Sequence, residues 1–446
     1  MAVKQEVVVA AIKFNFGACF VFCIGMLCST GILSAQETDG AYKKRVLENS
    51  EVDLLMGYYQ QDGENAAVSG GIGNEELTDV VPTIVVSVPL NADDILKVDA
   101  SISAYTSASS SNINPFDSKE TADPYIASTG ASGGDIWFNT TVTYSHSSDD
   151  RNTLWSGSFS TSNEFDYSSI GVGGSFTKLF NEKNTEFSIH SKYYFDTWRA
   201  IYPYELRQFD GGGPAFMVQN NNGTYTSNFK QFQDEGRTTL LVGASFSQIL
   251  SKRAQVAFMY DYTQQEGLLS TPFQRVYFQD KADFFLDDFQ LADDVERLPN
   301  QRSKHALGGR LNYYVNEHLV IRSFYRYYFD DWGILAHTLQ FDFPIKIGLN
   351  YTLYPSYRYY VQTAADYFAP YEGHLSTASF YTSDYDLSDY QANQFGLGIK
   401  YTDPLLQKNI SVFKLKTLFF KTHLYKRVGG LEAMLFTVGT SLVLDP

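Results

Sequence analysis

Between residues 51 and 445 apolar and polar side chains alternate at period two, in about sixteen stretches. Each is near or above the roughly 9 to 11 residues that a tilted strand needs to cross a bilayer. The connections alternate too. Those at 61–78 and 108–133 are long, and those at 89–93 and 148–150 are short. Further on, 181–183, 251–252, 316–317, 344–345 and 404–409 are tight, whereas 198–236, 266–303 and 361–390 are long. The connections at 164–166, 330–332 and 426–431 fall in the long series but are short, and no member of the short series is long. One rim of tight turns and one of loops predicts an all-β fold: a transmembrane antiparallel up-and-down β-barrel of about 16 strands, within roughly 14 to 18, with short periplasmic turns and long extracellular loops.

Successive side chains of a strand point to opposite faces, so each stretch splits into a lipid set and a lumen set. From Leu319 the outward set includes Ile321, Tyr325 and Phe329, and the inward set is Arg322, Phe324, Arg326, Tyr328 and Asp330. Leu335, Leu339 and Phe341 then face out against Thr338, Gln340 and Asp342, and Ile347, Tyr351 and Tyr357 against Thr352, Ser356 and Arg358. His337 falls on the outward face, which places it near the outer rim. Earlier, Phe187, Ile189, Tyr193 and Phe195 oppose His190, Lys192, Tyr194 and Asp196. Apolar outside with polar inside inverts the logic of a soluble protein. A secreted β-sandwich or propeller also alternates, but stretches such as 319–329 and 347–360 exceed the roughly five or six residues usual in globular strands.

Residues 1–35 read as a secretory signal peptide: Lys4 and Lys13 precede the apolar run 14–27, and Ser34-Ala35-Gln36 offers a cleavage site, with Ser29-Thr30-Gly31 as a second. Residues 36–50 form a periplasmic N-terminal segment and 51–446 the barrel. Cys19, Cys23 and Cys28 all lie in the signal, so the mature chain is expected to have no disulfide, thiolate metal site or cysteine nucleophile. A lipid anchor on Cys28 is disfavoured by the preceding Gly25-Met26-Leu27. The mean hydropathy of −0.23 suits a barrel, because half of every strand faces a polar interior.

The chain carries a formal charge of −16; Lys4 and Lys13 against Glu6 make the signal +1 and the mature chain −17. Much of the excess lies in long connections, such as Asp62, Glu64, Glu75 and Glu76 in 61–78, with no base among them. An acidic outer rim excludes nucleic acid as a partner and suits repulsion or divalent bridging to an anionic surface. Asp287-Asp288 and Asp293-Asp294 fit no ordered calcium loop. Bases gather on one stretch of wall. Arg310, Arg322, Arg326, Arg358, Lys400, Lys414 and Lys416 point inward by parity, beside Asp330 and Asp342. Such a ladder can draw anions through a water-filled lumen, or pair with acids of the opposite wall or of an inward-folded loop.

Aromatic residues make up 16% of the chain. The strings 193–198 and 327–332 are near copies and place Tyr194, Trp198, Tyr328, Trp332 and, one hairpin on, Tyr360 at the mouth. They read as an aromatic girdle, or as a stacking platform for sugars or flat solutes. The seven histidines form no HExxH or close His–Asp grouping, and Gly171-Val172-Gly173-Gly174 lies inside a strand, where Gly171 and Gly173 ease curvature. No catalytic residue, metal site or cofactor is expected; a loop-borne hydrolase is the minor alternative.

YYFDTWRAIYPYELR (193–207), YRYYFDDWGILAHT (325–338) and YRYYVQTAADYF (357–368) resemble a porin-like, uncharacterised family of Gram-negative secreted proteins catalogued as a domain of unknown function. The resemblance covers most of the mature chain. It implies a Gram-negative outer-membrane location and a gene setting beside a flavin-attaching enzyme, a thioredoxin-like protein and a small lipoprotein, which hints at extracytoplasmic redox work. No residue can be assigned a redox role. Many outer-membrane barrels end on an aromatic residue, whereas this chain ends Leu444-Asp445-Pro446. The expected function is a channel for small solutes, anions among them, with outer-membrane lipid around it. The alternative is a non-conducting barrel that scaffolds periplasmic, lipoprotein or surface partners.

Overall fold

The computed structural model describes residues 45–106, 135–203, 205–206, 219–220, 223–225, 227–232, 235–286 and 289–444. The signal peptide with its cysteines, the loop at 108–133 and Asp287-Asp288 lie outside the described residues. Sixteen strands form one closed antiparallel sheet. The first seven are β1 (Glu51–Asp62), β2 (Leu77–Pro89), β3 (Asp94–Tyr105), β4 (Asp135–Ser147), β5 (Thr153–Asn163), β6 (Tyr167–Phe180) and β7 (Thr185–Trp198). Then come β8 (Gly236–Ser251), β9 (Ala254–Gly267), β10 (Gln301–Tyr314), β11 (Val320–Asp330) and β12 (Leu335–Asp342, extended by Ile345–Ile347). The last four are β13 (Tyr351–Leu353, then Ser356–Gln362), β14 (Tyr390–Thr402), β15 (Phe413–Arg427) and β16 (Glu432–Leu444). Each strand pairs with the next, and β16 returns to β1 in a continuous register from Glu51 opposite Val443 to Asp62 opposite Glu432.

Closure answers the solvent. Hydrocarbon offers no hydrogen-bond partner to a free sheet edge, so a membrane sheet must close on itself. The outer face carries large apolar side chains that the protein leaves more than half uncovered: Phe159 is 52% exposed, Ile170 51%, Phe258 61% and Phe395 60%. His337 does face outward, where its Nδ1 lies 2.7 Å from the Tyr325 hydroxyl on the neighbouring strand. His305 makes the same kind of pair with Tyr260, at 2.8 Å. A tyrosine partner is what lets an imidazole sit on this face.

Two expectations are corrected. The tight turn expected at 344–345 is instead an interruption in the middle of a hairpin. The chain passes Pro344, runs on as Ile345–Ile347, turns at Gly348 (φ 68°) and returns as Tyr351–Leu353. Pro344 and Pro355 break the ladder at one level, bridged by Phe343 N–H donating to Pro355 O at 2.9 Å. Proline lacks the ladder donor, and X-Pro therefore reads as a turn in sequence. Hence 347–360 is not one strand, and Ile347 belongs to β12. The second correction concerns β15, where inward Lys414 and Lys416 imply that even-numbered residues continue to face the lumen. A bulge between Leu415 and Thr417 shifts the register by one, so Leu418, Phe420 and Leu424 face out, and Lys421 and His423 lie on the lumen side.

Gly171 and Gly173 have a more specific role than curvature. A Cβ on Gly171 would stand 2.7 Å from the Tyr194 ring, and one on Gly173 would stand 2.9 Å from Lys192 Cγ. Their missing side chains make room for inward residues of β7. Gly267, which ends β9, is fixed by its backbone: φ is +112°, and a Cβ there would lie 2.0 Å from Gly236 O. Gly267→Ala is therefore expected to lower stability by roughly 1–3 kcal/mol. The temperature at which the compact gel band converts to the slower unfolded band should fall accordingly, and an unchanged conversion temperature would refute the strain.

Candidate functional site: the lumen wall and the loop cap

The register carries the inward set around the barrel and divides it into unlike walls. Along β4, β5 and β6 the lumen face is small and hydroxylated: Thr141 lies opposite Ser160, Thr143 opposite Ser158, and those serines face Gly171 and Gly173. Ser156 and Ser175 share a hydrogen bond of 2.7 Å, and Asn139 donates to Ser162 at 3.2 Å. The roughly opposite wall is basic and aromatic. In one cross-strand row Arg310 stands opposite Phe324, Phe324 opposite Gln340, and Gln340 opposite Arg358. In the next row Arg326 stands opposite Thr338, and Thr338 opposite Tyr360.

The charges predicted to face inward have different fates. Asp330 is taken by Arg302 (2.5 and 3.0 Å) and also accepts from the Tyr328 hydroxyl at 2.7 Å. Arg302 falls in a stretch that sequence reasoning assigned to a loop, and the signal that could have placed it is the alternation Arg302, Lys304, Ala306 at the head of β10. Lys416, beside the bulge, reaches Glu51 at 2.6 Å and ties β15 to β1 across β16. Lys414 lies opposite Val443, and Lys400 opposite Thr352 and Phe419. Among the described residues Arg310, Arg322, Arg326 and Arg358 enter no ion pair. Asp342 stands opposite Arg322 in the register, yet it accepts from Gln340 Nε2 at 3.1 Å instead. A cavity of about 360 Å³ opens among Arg310, Asn312, Arg322, Ser323, Phe324, Gln340 and Asp342.

The mouth aromatics do not share one surface. Tyr194, Tyr328 and Tyr360 lie on the lumen face, Trp198 packs edge-on against Tyr167 at 5.1 Å, and Trp332 is 3% exposed under the Arg302 guanidinium at 4.1 Å. Folding also brings together His–carboxylate pairs that are distant in sequence. His146 meets its register partner Asp94 at 2.6 Å, and His190 meets Asp261 at 3.4 Å across Gly243, where a Cβ would strike both.

Above the wall, four long connections interlock into a cap. Arg275, from the loop after β9, donates to Glu205 of the loop after β7 at 2.8 Å and to Val68 O of the loop after β1 at 3.0 Å. Both charges are buried, with side-chain exposures of 4% and 0%. Around them Tyr202, Leu206, Tyr225, Tyr277, Leu291 and Val295 form an apolar core. The loop after β13 joins through Tyr381, whose hydroxyl donates to Asp294 at 2.5 Å, and Thr382, whose hydroxyl donates to Glu296 at 2.5 Å. This cap reaches into the lumen: Ala365 and Leu387 pack with the inward Ala336, Tyr328 and Tyr360. Asp386 pairs with the lumen-side Arg427 at 2.7 Å, so a loop acid does fold inward, though onto a base that parity alone did not single out. Burial pushes the carboxyls of this seam up, Asp294 to about 6 and Glu296 to about 8, the latter helped by the nearby Asp384.

A closed, loop-capped barrel with an apolar outer face and a polar lumen has the fold of an outer-membrane-type β-barrel protein. Residues 25–412 match the family described as "Protein of unknown function (DUF3570)", and the chain belongs to that family. No curated protein matches it. Similar solved structures include a bacterial polysaccharide outer membrane secretin, at TM-score 0.42 and 10% identity, over 89% of this chain and 99% of that one. CdiB from Acinetobacter baumannii is similar at TM-score 0.41 and 8% identity, over 89% of this chain and 60% of that one. The outer membrane protein opdK from Pseudomonas aeruginosa is similar at TM-score 0.37 and 8% identity, over 89% and 99%.

Two predictions concern the cap. Glu296 has an ordinary value of 4.5 raised to about 8 when docked. Docking is therefore fully favoured below 4.5, weakens as the released loop ionises, and is lost as pH rises through about 8. Cleavage within 268–300 by an added protease should accelerate across that window in the wild type relative to Glu296→Gln at each pH; parallel profiles would refute it. Arg275→Met removes the cationic partner of the buried Glu205 and should loosen the cap by roughly 3–5 kcal/mol, whereas Arg275→Met with Glu205→Leu should cost far less. Hydrogen exchange of the loop amides compares the two, and equal protection would contradict the prediction.

Proposed function

We propose that this protein is an outer-membrane channel for small anionic solutes, exported by the signal peptide at residues 1–35, with the long-loop rim outside and the short turns in the periplasm. The observation that carries this reading is the wall of Arg310, Arg322, Arg326 and Arg358, which project into a polar lumen without ion-pair partners among the described residues. Guanidiniums left without counter-charge attract anions, as rings of arginine and lysine do in anion-selective pores. The hydroxylated wall across the lumen supplies neutral hydrogen-bonding groups that carry no opposing charge.

A second reading is favoured by one feature, the interlocked cap. Four loops packed on one another and on lumen-facing tyrosines suit a barrel that scaffolds partners instead of conducting. Any gene-neighbourhood link to extracytoplasmic redox belongs to that reading.

Purified protein in a planar bilayer under a salt gradient distinguishes them. The channel reading expects a salt-dependent conductance that prefers anions by several-fold, larger at pH 8 than at pH 5 because the cap loosens. Arg322→Gln, Arg326→Gln and Arg358→Gln together should bring the preference close to unity. Absence of any conductance at either pH would overturn the channel in favour of the scaffold, and unchanged selectivity in the triple variant would remove these arginines from the path.

A further inference from the structure

Phe324, a ring that the channel reading does not use, stands at the centre of the arginine wall. It faces the lumen from β11, with Arg322 and Arg326 two residues to either side on the same strand. Across the register its neighbours are Arg310 on β10 and Gln340 on β12, and beyond Gln340 stands Arg358. The Arg310 guanidinium lies 5.6 Å from the Phe324 ring centre, and that of Arg358 lies 5.9 Å from the Tyr360 ring centre. The cavity of about 360 Å³ opens on this ring and is of the size in which small organic ligands are held, roughly 300–1,000 Å³. Two polar atoms near the ring are buried without hydrogen-bond partners among the described residues: Oδ1 of Asn312, which lines the cavity, and Nε of Arg326, two residues along the strand from Phe324. A buried guanidinium nitrogen with nothing to donate to is a costly feature unless a ligand completes it.

We propose that the arginine-framed Phe324 patch is a binding site for flat, ring-bearing carboxylates. The inference rests on the reading of this wall as a solute path, and deepens it by naming the solute class. Guanidinium forks match carboxylates two bonds at a time, and the four arginines outnumber the single carboxylate of the patch, Asp342. A wholly polar anion such as phosphate would satisfy the arginines and leave the Phe324 ring without a contact. A neutral sugar would cover the ring and leave the charges bare. An anion with one apolar face uses both: its ring lies on Phe324 in an offset or edge contact, and its carboxylate meets the arginines at the rim of that ring. Asn312 Oδ1, at the short-turn side of the patch, accepts from a ligand hydroxyl or amine, so hydroxylated or aminated ring acids fit better than the bare acid.

The test uses the full chain in detergent, with binding of benzoate, cyclohexanecarboxylate and acetate followed by titration calorimetry. The expected order is benzoate, then cyclohexanecarboxylate, then acetate, with benzoate about tenfold tighter than acetate. Phe324→Leu should reduce that ratio to near unity while acetate binding persists, and Phe324→Tyr, which keeps the ring, should restore it. Arg322→Gln with Arg326→Gln should weaken all three acids by at least about tenfold. Heat-dependent gel mobility confirms that each variant is folded. Equal binding of benzoate and acetate, or a ratio untouched by Phe324→Leu, would overturn the site. Chloride selectivity in the bilayer is a separate readout: if it persists while benzoate and acetate bind alike, the site falls and the anion channel stands. If benzoate shows the expected ratio and Phe324 dependence without conductance, the channel falls and the site stands as a lumen receptor.

Discussion

Closure of the sheet is the constraint from which the rest follows. Every backbone donor and acceptor that faces hydrocarbon must find its partner in another strand, and here the circuit is completed where Glu51–Asp62 pairs with both the second and the last strand. Without the β16 to β1 register the chain would have two open edges in lipid. With it there is an inside and an outside, and the period of two gives each residue its side. The same seam is reinforced by side chains: Lys416 reaches Glu51, and Val52, Leu415 and Leu442 pack together on the outward face with Leu54, Ile84 and Val86.

Inside, charges differ in how far they are paired and buried. Near the long-loop rim, charges are paired and shielded, as with Arg302 and Asp330 or Arg237 and Asp196 at 2.7 Å. Within the cap they are buried outright, where a pair such as Arg275 and Glu205 contributes more to fixing the arrangement than to net stability, because desolvation offsets most of the Coulomb gain. Lower on the wall Arg310 and Arg322 are exposed around an open cavity, whereas Arg326 and Arg358 are half-buried. Desolvation of two ions and attraction between them nearly cancel in the cap, whereas the exposed guanidiniums of Arg310 and Arg322 bear little of that desolvation cost.

The sequence by itself determined the barrel, its strand number, which rim carries the loops, and the face on which almost every strand residue lies. Those are local properties, set by alternation and by connection length, and lipid enforces them on each strand separately. It misplaced the turn at Pro344 and lost parity at Leu415, because a proline interruption and a bulge both break the local rule while the neighbouring strands keep the global one. It could put Arg322 and Asp342 on the same face, but not say whether they pair. Only the tertiary structure decided that Asp330 belongs to Arg302, that Asp386 folds in to Arg427 rather than to the arginine wall, and that Phe324 stands among four arginines from three strands. Partners more than a hairpin apart are chosen by register around the circumference and by how loops pack on one another, and neither is written in the spacing of residues along one strand.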